Sequence, residues 1–234
     1  MLKKNILVSP VVKWVGGKRQ LLSDIEPLIP KKISTYVEPF IGGGALLFHL
    51  QPQKAIINDY NSELMNVYNV IKEKPNELIS SLEKHEINNS EEHFYKTRAL
   101  DREKEYENMS NIEKASRILY LNKTGYNGLF RVNKAGQLNV PYGRYKKPNI
   151  VNDTIIKAVS KYFNSSNIKF LTGDYKQALK GLRKGAFVYF DPPYMPISDS
   201  SSFTGYTESG FDYDKQVELR DECLLLHSKG IKFL

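Results

Sequence analysis

The four residues with the most evident chemistry are Asp191-Pro192-Pro193-Tyr194, which directly follow the apolar run of residues 186–190. That run predicts a short buried strand, so the acid stands at the strand's carboxyl end, where open α/β sheets bind their ligands. The two prolines stiffen the backbone and remove two N–H donors. What remains is a carboxylate, bare carbonyl groups and an aromatic ring, which suit the exocyclic amino group of a flipped-out base. A loop that merely ends a strand would explain these four residues alone equally well.

A second candidate site is the glycine run Gly42-Gly43-Gly44, which lies in residues 38–45 between a predicted strand and a predicted helix. Glycines let the backbone approach a ligand, and a helix N-terminus attracts negative charge, as in nucleotide-binding loops. A dehydrogenase fingerprint would need a further glycine where this chain has Leu47, which argues against NAD. Tight packing of the helix on the strand is the structural alternative for these glycines.

Two further residues could contribute to the same pocket. Asp59 ends the next predicted strand, where it could accept hydrogen bonds from ribose hydroxyls or cap the following helix. Lys18 follows two glycines and Trp14, the only tryptophan, near the N-terminus. The residues that a P-loop requires around its lysine are absent, so this is not an NTPase motif. Trp14 and Lys18 could instead line a pocket for a small carboxylate-bearing cofactor, or belong to a basic arm.

The composition favours an anionic partner. The chain has 234 residues, a formal net charge of +8 and 15 tyrosines, and nucleic acid is a frequent partner of so basic a protein. Its single cysteine, Cys223, leaves no disulfide framework and no cysteine-rich metal site, which fits a reducing cytoplasm. We predict no metal site, no membrane span and no signal peptide. Cys223 is predicted to be a core residue, not a nucleophile.

Strand-like and helix-like segments alternate along both ends of the chain, which predicts an α/β fold. Strands are predicted at 34–37, 55–57, 168–171, 187–190 and 231–234, and helices at 45–50, 61–74, 175–181 and 212–228. The last helix is expected to be amphipathic, with its apolar positions at Val217, Leu219, Leu224 and Leu226. We predict that residues 1–64 and 165–234 form one domain and that 65–164 form an insertion. Because the chain stops within a strand-like segment, we expect further strands beyond residue 234.

The insertion has features of a DNA-binding element. Its first part is charged and helical, and residues 129–140 predict a β-hairpin with an Asn-Lys-Ala-Gly turn. A β-ribbon fits the major groove, and an arginine can contact guanine through two hydrogen bonds. Residues 141–148 then interleave tyrosines with arginine and lysine, and lysines of this kind grip phosphates. A solvated basic hairpin is the alternative interpretation.

Together these motifs resemble the Dam-like (α-class) DNA adenine-N6 methyltransferases of bacteria and phages. The resemblance extends over nearly the whole chain, and its motifs occur in the order of that class. The matching stretches are Lys13 to Lys18, Glu38-Pro39-Phe40 with Gly42 and Gly44, Asn58 to Asn61, Gly125 to Arg131, Asn139 to Lys146, and Asp191 to Tyr194. A departure is Gly43, which stands where many members carry another residue.

The resemblance implies a Rossmann-like methyltransferase sheet that binds S-adenosylmethionine, with an inserted target-recognition domain that binds double-stranded DNA at GATC. It implies cofactor-binding roles for Trp14, Lys18, Phe40, Gly42, Asp59 and Asp191, and catalytic roles for Asp191, Pro192, Pro193 and Tyr194. It implies DNA contacts for Lys13, Tyr126, Asn127, Leu129, Arg131 and Pro141. From the basic stretch 141–148 itself we also predict DNA contacts for Arg144 and Lys146. A restriction–modification, a phage and a housekeeping role fit it equally, and the oligomeric state stays open.

In the mechanism that we expect, adenine is flipped out and Tyr194 stacks on it, while Asp191 and the Pro192 carbonyl accept the two N6 hydrogens. Methyl transfer is then a direct in-line displacement without a covalent enzyme intermediate. The alternatives are transfer to cytosine N4, whose enzymes more often carry serine in place of Asp191, and a nucleic-acid-binding protein without turnover.

Replacement of Arg131 by alanine should relax sequence choice at one base pair, at a cost of about 1–3 kcal/mol there, because one bidentate base contact is lost. Methylation rates on duplexes that differ at single positions would measure this. Equal weakening on every duplex would instead identify Arg131 as a phosphate contact.

Overall fold

The computed structural model describes residues 4–14, 16–133, 135–194 and 211–234. Its centre is a five-stranded parallel sheet with the order β3-β2-β1-β4-β5. The strands are β1 (Thr35–Glu38), β2 (Lys54–Asp59), β3 (Asn167–Thr172), β4 (Ala186–Val188) and β5 (Lys232–Phe233). The α/β class and the five predicted strands are therefore confirmed.

Helices connect the strands and build the insertion. In the described residues they are α1 (Leu22–Ile25), α2 (Ala45–Leu50), α3 (Ser62–Glu73), α4 (Pro75–Ile87), α5 (Glu91–Ala99), α6 (Asn111–Thr124), α7 (Asp153–Ser165), α8 (Lys176–Leu179) and α9 (Tyr213–Ser228). Short 3₁₀ turns lie at Lys18–Leu21, Glu26–Leu28, Leu100–Arg102, Lys104–Asn108 and Tyr126–Gly128.

The sheet is buried on both faces, because successive side chains of a strand point to opposite sides. Tyr36 and Phe187 belong to the larger core, which also contains residues of α2, α3 and α7. Val37 and Val188 belong to a second core, together with residues of α8 and α9. Since both faces are covered, the ligand site is expected at the ends of the strands.

The strand order decides where that site lies. β1 pairs with β2 on one side and with β4 on the other, with Val37 opposite Val188. The chain thus reverses direction of winding between β1 and β4, which is the switch point where open parallel sheets bind ligands. The carboxyl ends of three neighbouring strands meet here and carry Glu38, Asp59 and, three residues after β4, Asp191.

The insertion is helical at first, as predicted, but its hairpin is less regular than expected. Val132 and Leu138 form an isolated antiparallel bridge, and the N–H groups of Asn133 and Asn139 donate to the carbonyl oxygens of Gln137 and Arg131. No strand is assigned among the described residues of 129–140, and Lys134 of the turn lies outside them. The prediction of two regular strands was wrong, because backbone groups of Leu138 and Val140 bond to side chains of α5 and the 3₁₀ turn after it.

The predicted domain bounds stay a prediction. α3 begins just before the predicted break at 64/65, and α7 ends just after the one at 164/165. The two helices pack against each other, and both contribute to the larger core. The insertion and the sheet therefore share one hydrophobic core.

Two predictions need correction, one about where β4 ends and one about which face of α9 is buried. β4 ends at Val188, although the N–H groups of Tyr189 and Phe190 still donate to Val37 and Leu234. On α9, Leu219 and Leu226 are buried while Leu224 is 62% exposed. Seven residues return a helix almost to the same face, whereas five rotate it by about 140°, which carries Leu224 away from the core.

Replacement of Phe163 by alanine should lower the free energy of unfolding by about 3–5 kcal/mol, because it leaves a cavity in the larger core. Phe163 is fully buried and its ring contacts those of Phe48, Tyr68 and Phe170. Urea unfolding would measure the loss. Tyr213→Ala is the control, since Tyr213 is 68% exposed; an equal loss in both variants would contradict the assignment of Phe163 to the core.

Candidate active site

A cavity of about 410 Å³ opens at the switch point between β1 and β4. This is a usual volume for a site that binds a small molecule or a cofactor. Its lining includes all of the predicted cofactor-binding and catalytic residues, which are Trp14, Lys18, Phe40, Gly42, Asp59, Asp191, Pro192, Pro193 and Tyr194. The structure thus brings together residues that are up to 180 positions apart in the sequence.

Lys18 and Asp191 form the closest ion pair of the cavity. The Lys18 Nζ lies 2.6 and 2.7 Å from the two carboxylate oxygens, and it also donates to the Gly16 carbonyl oxygen. It lies 5.3 Å from the centre of the Tyr194 ring. Burial alone would lower the pKa of Lys18, but the hydrogen bonds to Asp191 and Tyr194 outweigh it and raise that pKa. Lys18 thereby fixes the orientation of the Asp191 carboxylate.

Glu38 is a buried acid at the end of β1 that the predicted site did not include. It is 2% exposed, and the Tyr36 hydroxyl donates to its Oε2 at 2.8 Å. Burial raises its pKa to about 8, against the hydrogen bond from Tyr36, and the negative charge of Asp191 adds to the rise. Glu38 therefore carries a proton near neutral pH. Its position directly before the glycine run was the available sequence signal.

Asp59 braces the glycine run. Its Oδ2 accepts from the Gly42 N–H at 2.9 Å, and its Oδ1 accepts from the Asn61 N–H at 2.9 Å. The Tyr68 hydroxyl donates to the Gly42 carbonyl oxygen, so both backbone groups of this glycine are held. Burial raises the pKa of Asp59, although these backbone N–H groups favour its charged form. The cap of α3 is Asn61, so the predicted alternative of Asp59 as a helix cap was wrong.

Trp14 explains why position 42 must be glycine. A Cβ atom at Gly42 would lie 2.8 Å from the Trp14 Cδ1, and the backbone there has a φ of +47°. The Trp14 ring also stacks on Phe130 of the insertion, with ring centres 5.0 Å apart. The side chain therefore connects the glycine run to the insertion.

Aromatic rings form the other wall of the cavity. Phe40 stacks on Tyr175 with ring centres 5.1 Å apart and meets Phe211 edge-on at 5.7 Å. Tyr175 donates to Glu218 of α9, which also pairs with Lys176. Tyr175 and Phe211 were not predicted, although Tyr175, like Asp191, lies three residues after the end of a strand.

The residues predicted to contact DNA lie on and around one segment of the insertion. Lys13 packs against Gly128 and lies 5.6 Å from the centre of the Tyr145 ring. The Tyr126 N–H donates to the Pro141 carbonyl oxygen, and the Tyr126 side chain is 53% exposed. Asn127, Pro141, Arg144 and Lys146 are exposed, while Leu129 and Arg131 are half-buried. The residues predicted to bind DNA are thus mostly accessible, and they adjoin the cavity through Lys13 and Trp14.

Two of these residues are engaged within the protein. Arg131 donates to the Asn139 side-chain and main-chain oxygens at 2.8 and 3.1 Å. Arg144 has a φ of +52°, and its Nη2 lies 3.6 Å from the Glu91 Oε1, which makes a long ion pair at the surface. Arg131 is therefore oriented by Asn139, while Arg144 is 78% exposed in its side chain.

Other chemical candidates are weaker. Within the described ranges no group of three or more His, Cys, Asp or Glu could hold a metal ion, and no helix is long and apolar enough to cross a membrane. Cys223 is half-buried on α9, and burial raises the pKa of its thiol, which is opposite to what activates a nucleophile.

Replacement of Glu38 by glutamine should change how stability depends on pH. A carboxyl whose pKa is higher in the folded protein contributes stability below its unfolded pKa of about 4.5 and loses it as pH rises toward 8. The variant keeps an acceptor for Tyr36 without the titration. Its melting temperature should therefore rise relative to the wild type between pH 5 and 8, as thermal unfolding would show.

Glu92→Gln, an exposed residue of α5, serves as the control. A constant difference in melting temperature between Glu38→Gln and the wild type across this pH range would contradict the raised pKa of Glu38.

Comparison with known proteins gives the family of this chain. A family model described as D12 class N6 adenine-specific DNA methyltransferase matches residues 14–234. A type II methyltransferase of Lactococcus lactis subsp. cremoris is 50% identical over 232 residues, which are 99% of this chain and 82% of that relative.

Two further relatives are more distant. A type II methyltransferase of Methanocaldococcus jannaschii is 42% identical over 97% of this chain and 83% of its own length. The DNA adenine methylase of Escherichia coli is 33% identical over 94% of this chain and 76% of its own length. An adenine-specific family decides against the cytosine-N4 and dehydrogenase interpretations. From its fold, its site and these matches, the chain belongs to the D12 class of N6 adenine-specific DNA methyltransferases.

Proposed function

We propose that this DNA adenine methyltransferase takes its methyl group from S-adenosylmethionine and transfers it to adenine N6 within GATC in double-stranded DNA. The observation that carries the proposal is the joint lining of one cavity by the glycine run, the Lys18–Asp191 pair and the exposed Tyr194. One side of that cavity suits a cofactor and its mouth suits a base.

The donor groups of the cavity fit S-adenosylmethionine. When bound, this cofactor supplies an electrophilic methyl group on a sulfonium. Lys18 would bind its carboxylate, the acids Asp59 and Asp191 would take its hydroxyl and ammonium donors, and Phe40 would pack on its base. Trp14 and Gly42 would shape the passage, since a side chain at position 42 would collide with the indole.

The chain's own residues would prepare the adenine. The Tyr194 ring is 63% exposed at the cavity's mouth and would stack on a flipped base. Asp191 would accept one N6 hydrogen and the Pro192 carbonyl the other; a carboxylate has about four acceptor positions, so the bonds to Lys18 leave room. The negative charge of Asp191 would also stabilise the positive charge that develops on N6 during direct in-line transfer. Pro193 would keep this loop rigid.

The accessible basic segment supports DNA as the substrate. Lys13, Tyr126, Asn127, Leu129, Arg131 and Pro141 would contact the recognition sequence, and Arg144 and Lys146 would contact phosphates. Lys13 and Trp14 are consecutive, so the DNA-contacting surface and the cofactor cavity share one short stretch of chain.

The names of the relatives suggest the biological setting. Two of those compared are type II methyltransferases, which favours a role in restriction–modification over a phage or housekeeping role. The bacterial origin of relatives such as the Escherichia coli methylase supports the cytoplasm of a bacterial or phage-infected cell as the location.

Replacement of Asp191 by alanine should lower the rate of methyl transfer by about 10²-fold or more, because a charge aimed at the reacting nitrogen is removed. DNA binding should remain largely intact. Mass spectrometry of nucleosides from unmethylated DNA incubated with S-adenosylmethionine would measure transfer, and fluorescence anisotropy of a labelled duplex would measure binding.

The control is Asp153→Ala, a half-buried acid of α7 outside the cavity lining, which should transfer like the wild type. Sequencing the methylated positions tests GATC: another preferred sequence would overturn that specificity and leave the reaction standing. Wild-type turnover by Asp191→Ala would overturn the catalytic role, and N4-methylcytosine would overturn the target base.

A further inference from the structure

Two side chains grip the main chain of the irregular hairpin at Leu138. The Asp101 Oδ2 accepts from the Leu138 N–H at 2.8 Å, and the Arg102 Nη2 donates to the Leu138 carbonyl oxygen at 2.7 Å. Asp101 and Arg102 are also paired with each other at 2.5 Å. In a sheet, a neighbouring strand would bond these two backbone groups. Here an acid and a base take the place of that strand.

A third side chain extends the grip by two residues. The Arg98 Nη1 donates to the Val140 carbonyl oxygen at 2.9 Å. Leu138 and Val140 are both buried, as alternate residues of an extended segment should be when they share one face. Asn139, between them, is directed toward the other arm of the hairpin.

A buried arginine holds this grip in place. Arg117 of α6 is 1% exposed, and its Nη2 lies 2.8 Å from the Asp101 Oδ2. Its Nε and Nη2 also donate to the carbonyl oxygens of Thr97 and Arg98, at 2.9 and 2.8 Å. These fixed donors leave the Asp101 carboxylate little freedom. Asp101 is itself only 11% exposed in its side chain.

The gripped residues Leu138 to Val140 adjoin residues that we propose to contact DNA. The Asn139 N–H donates to the Arg131 carbonyl oxygen, and the Arg131 guanidinium donates back to Asn139. Pro141, two residues further, bonds to Tyr126. The contacts therefore run without a break from Arg117 through Asp101, Leu138 and Asn139 to Arg131.

We propose that Asp101, which Arg117 holds in place, and Arg102 are positioning residues that determine sequence specificity. The inference rests on the proposed DNA contacts of residues 126–146. Base discrimination requires a donor to meet one base edge within hydrogen-bond distance, so a hairpin free to shift would accept several sequences. Within the described residues, Asp101, Arg102 and Arg117 lie outside the lining of the cofactor cavity.

The test is the sequence profile of methylation by Arg102→Ala, measured on duplexes that differ from the preferred site at single positions. Arg102 is accessible to solvent, so its loss should leave the fold intact, as circular dichroism would verify. We expect the preference over near-cognate sites to fall about tenfold, the discrimination of one well-placed base contact. Arg102→Lys, which keeps a donor for the Leu138 carbonyl oxygen, should restore much of the preference.

The matched control is Arg220→Ala, the same change at an exposed arginine of α9, which should keep the wild-type profile. Amide hydrogen exchange of residues 137–140 without DNA checks the grip itself and should be faster in Arg102→Ala than in the wild type. Unchanged exchange, or a rate lowered equally at all sequences, would overturn the proposal. A wild type that shows no preferred sequence would instead overturn the proposed DNA contacts, and this inference with them.

Discussion

The strand order forces three carboxyl groups to share one small volume, and the rest of the site follows from this constraint. Glu38, Asp59 and Asp191 stand at the ends of β1, β2 and β4, which are neighbours in the sheet. Unpaired buried charge is costly, and each acid avoids the cost differently. Glu38 keeps its proton, Asp59 binds backbone N–H groups, and Asp191 pairs with Lys18. The cavity can therefore offer acceptors to a cationic ligand while its own walls stay electrically compensated.

The same site shows how far local sequence can predict function. The strand ends at or near which Gly42, Asp59 and Asp191 lie could be located from the sequence. Apolar runs and turn residues mark such ends, and both signals are local. The proton on Glu38 could not, because its pKa depends on complete burial and on Asp191, 153 positions away in the sequence. Likewise, the apolar type of Leu224 alone suggested that it belongs to the buried face of α9. Packing against the sheet decides which face of that helix is buried.

The hairpin illustrates a different limit. Residues 129–140 have a plausible strand–turn–strand pattern, and the antiparallel bridge is indeed present. Strand character also requires a backbone partner, however, and no local pattern reveals that Asp101 and Arg102 supply one. A side chain can satisfy a backbone group as completely as another strand does. Charged residues in a helical stretch are usually assigned to the solvated surface. The sequence therefore gives no sign that Asp101 and Arg102 bond to the backbone of Leu138.

Asn122 binds both backbone groups of Lys13, as Asp101 and Arg102 together do for Leu138. Its side chain accepts from the Lys13 N–H and donates to the Lys13 carbonyl oxygen, both at 2.8 Å. Its amide also donates to the carbonyl oxygen of Gly128, which lies in the segment proposed to contact DNA. The N-terminal stretch is thus a structural part of the insertion, although it lies more than a hundred positions before Asn122. A chimaera that exchanges residues 65–164 between relatives would therefore cut through one folding unit. The transplantable module is discontinuous, and it includes the stretch around Lys13.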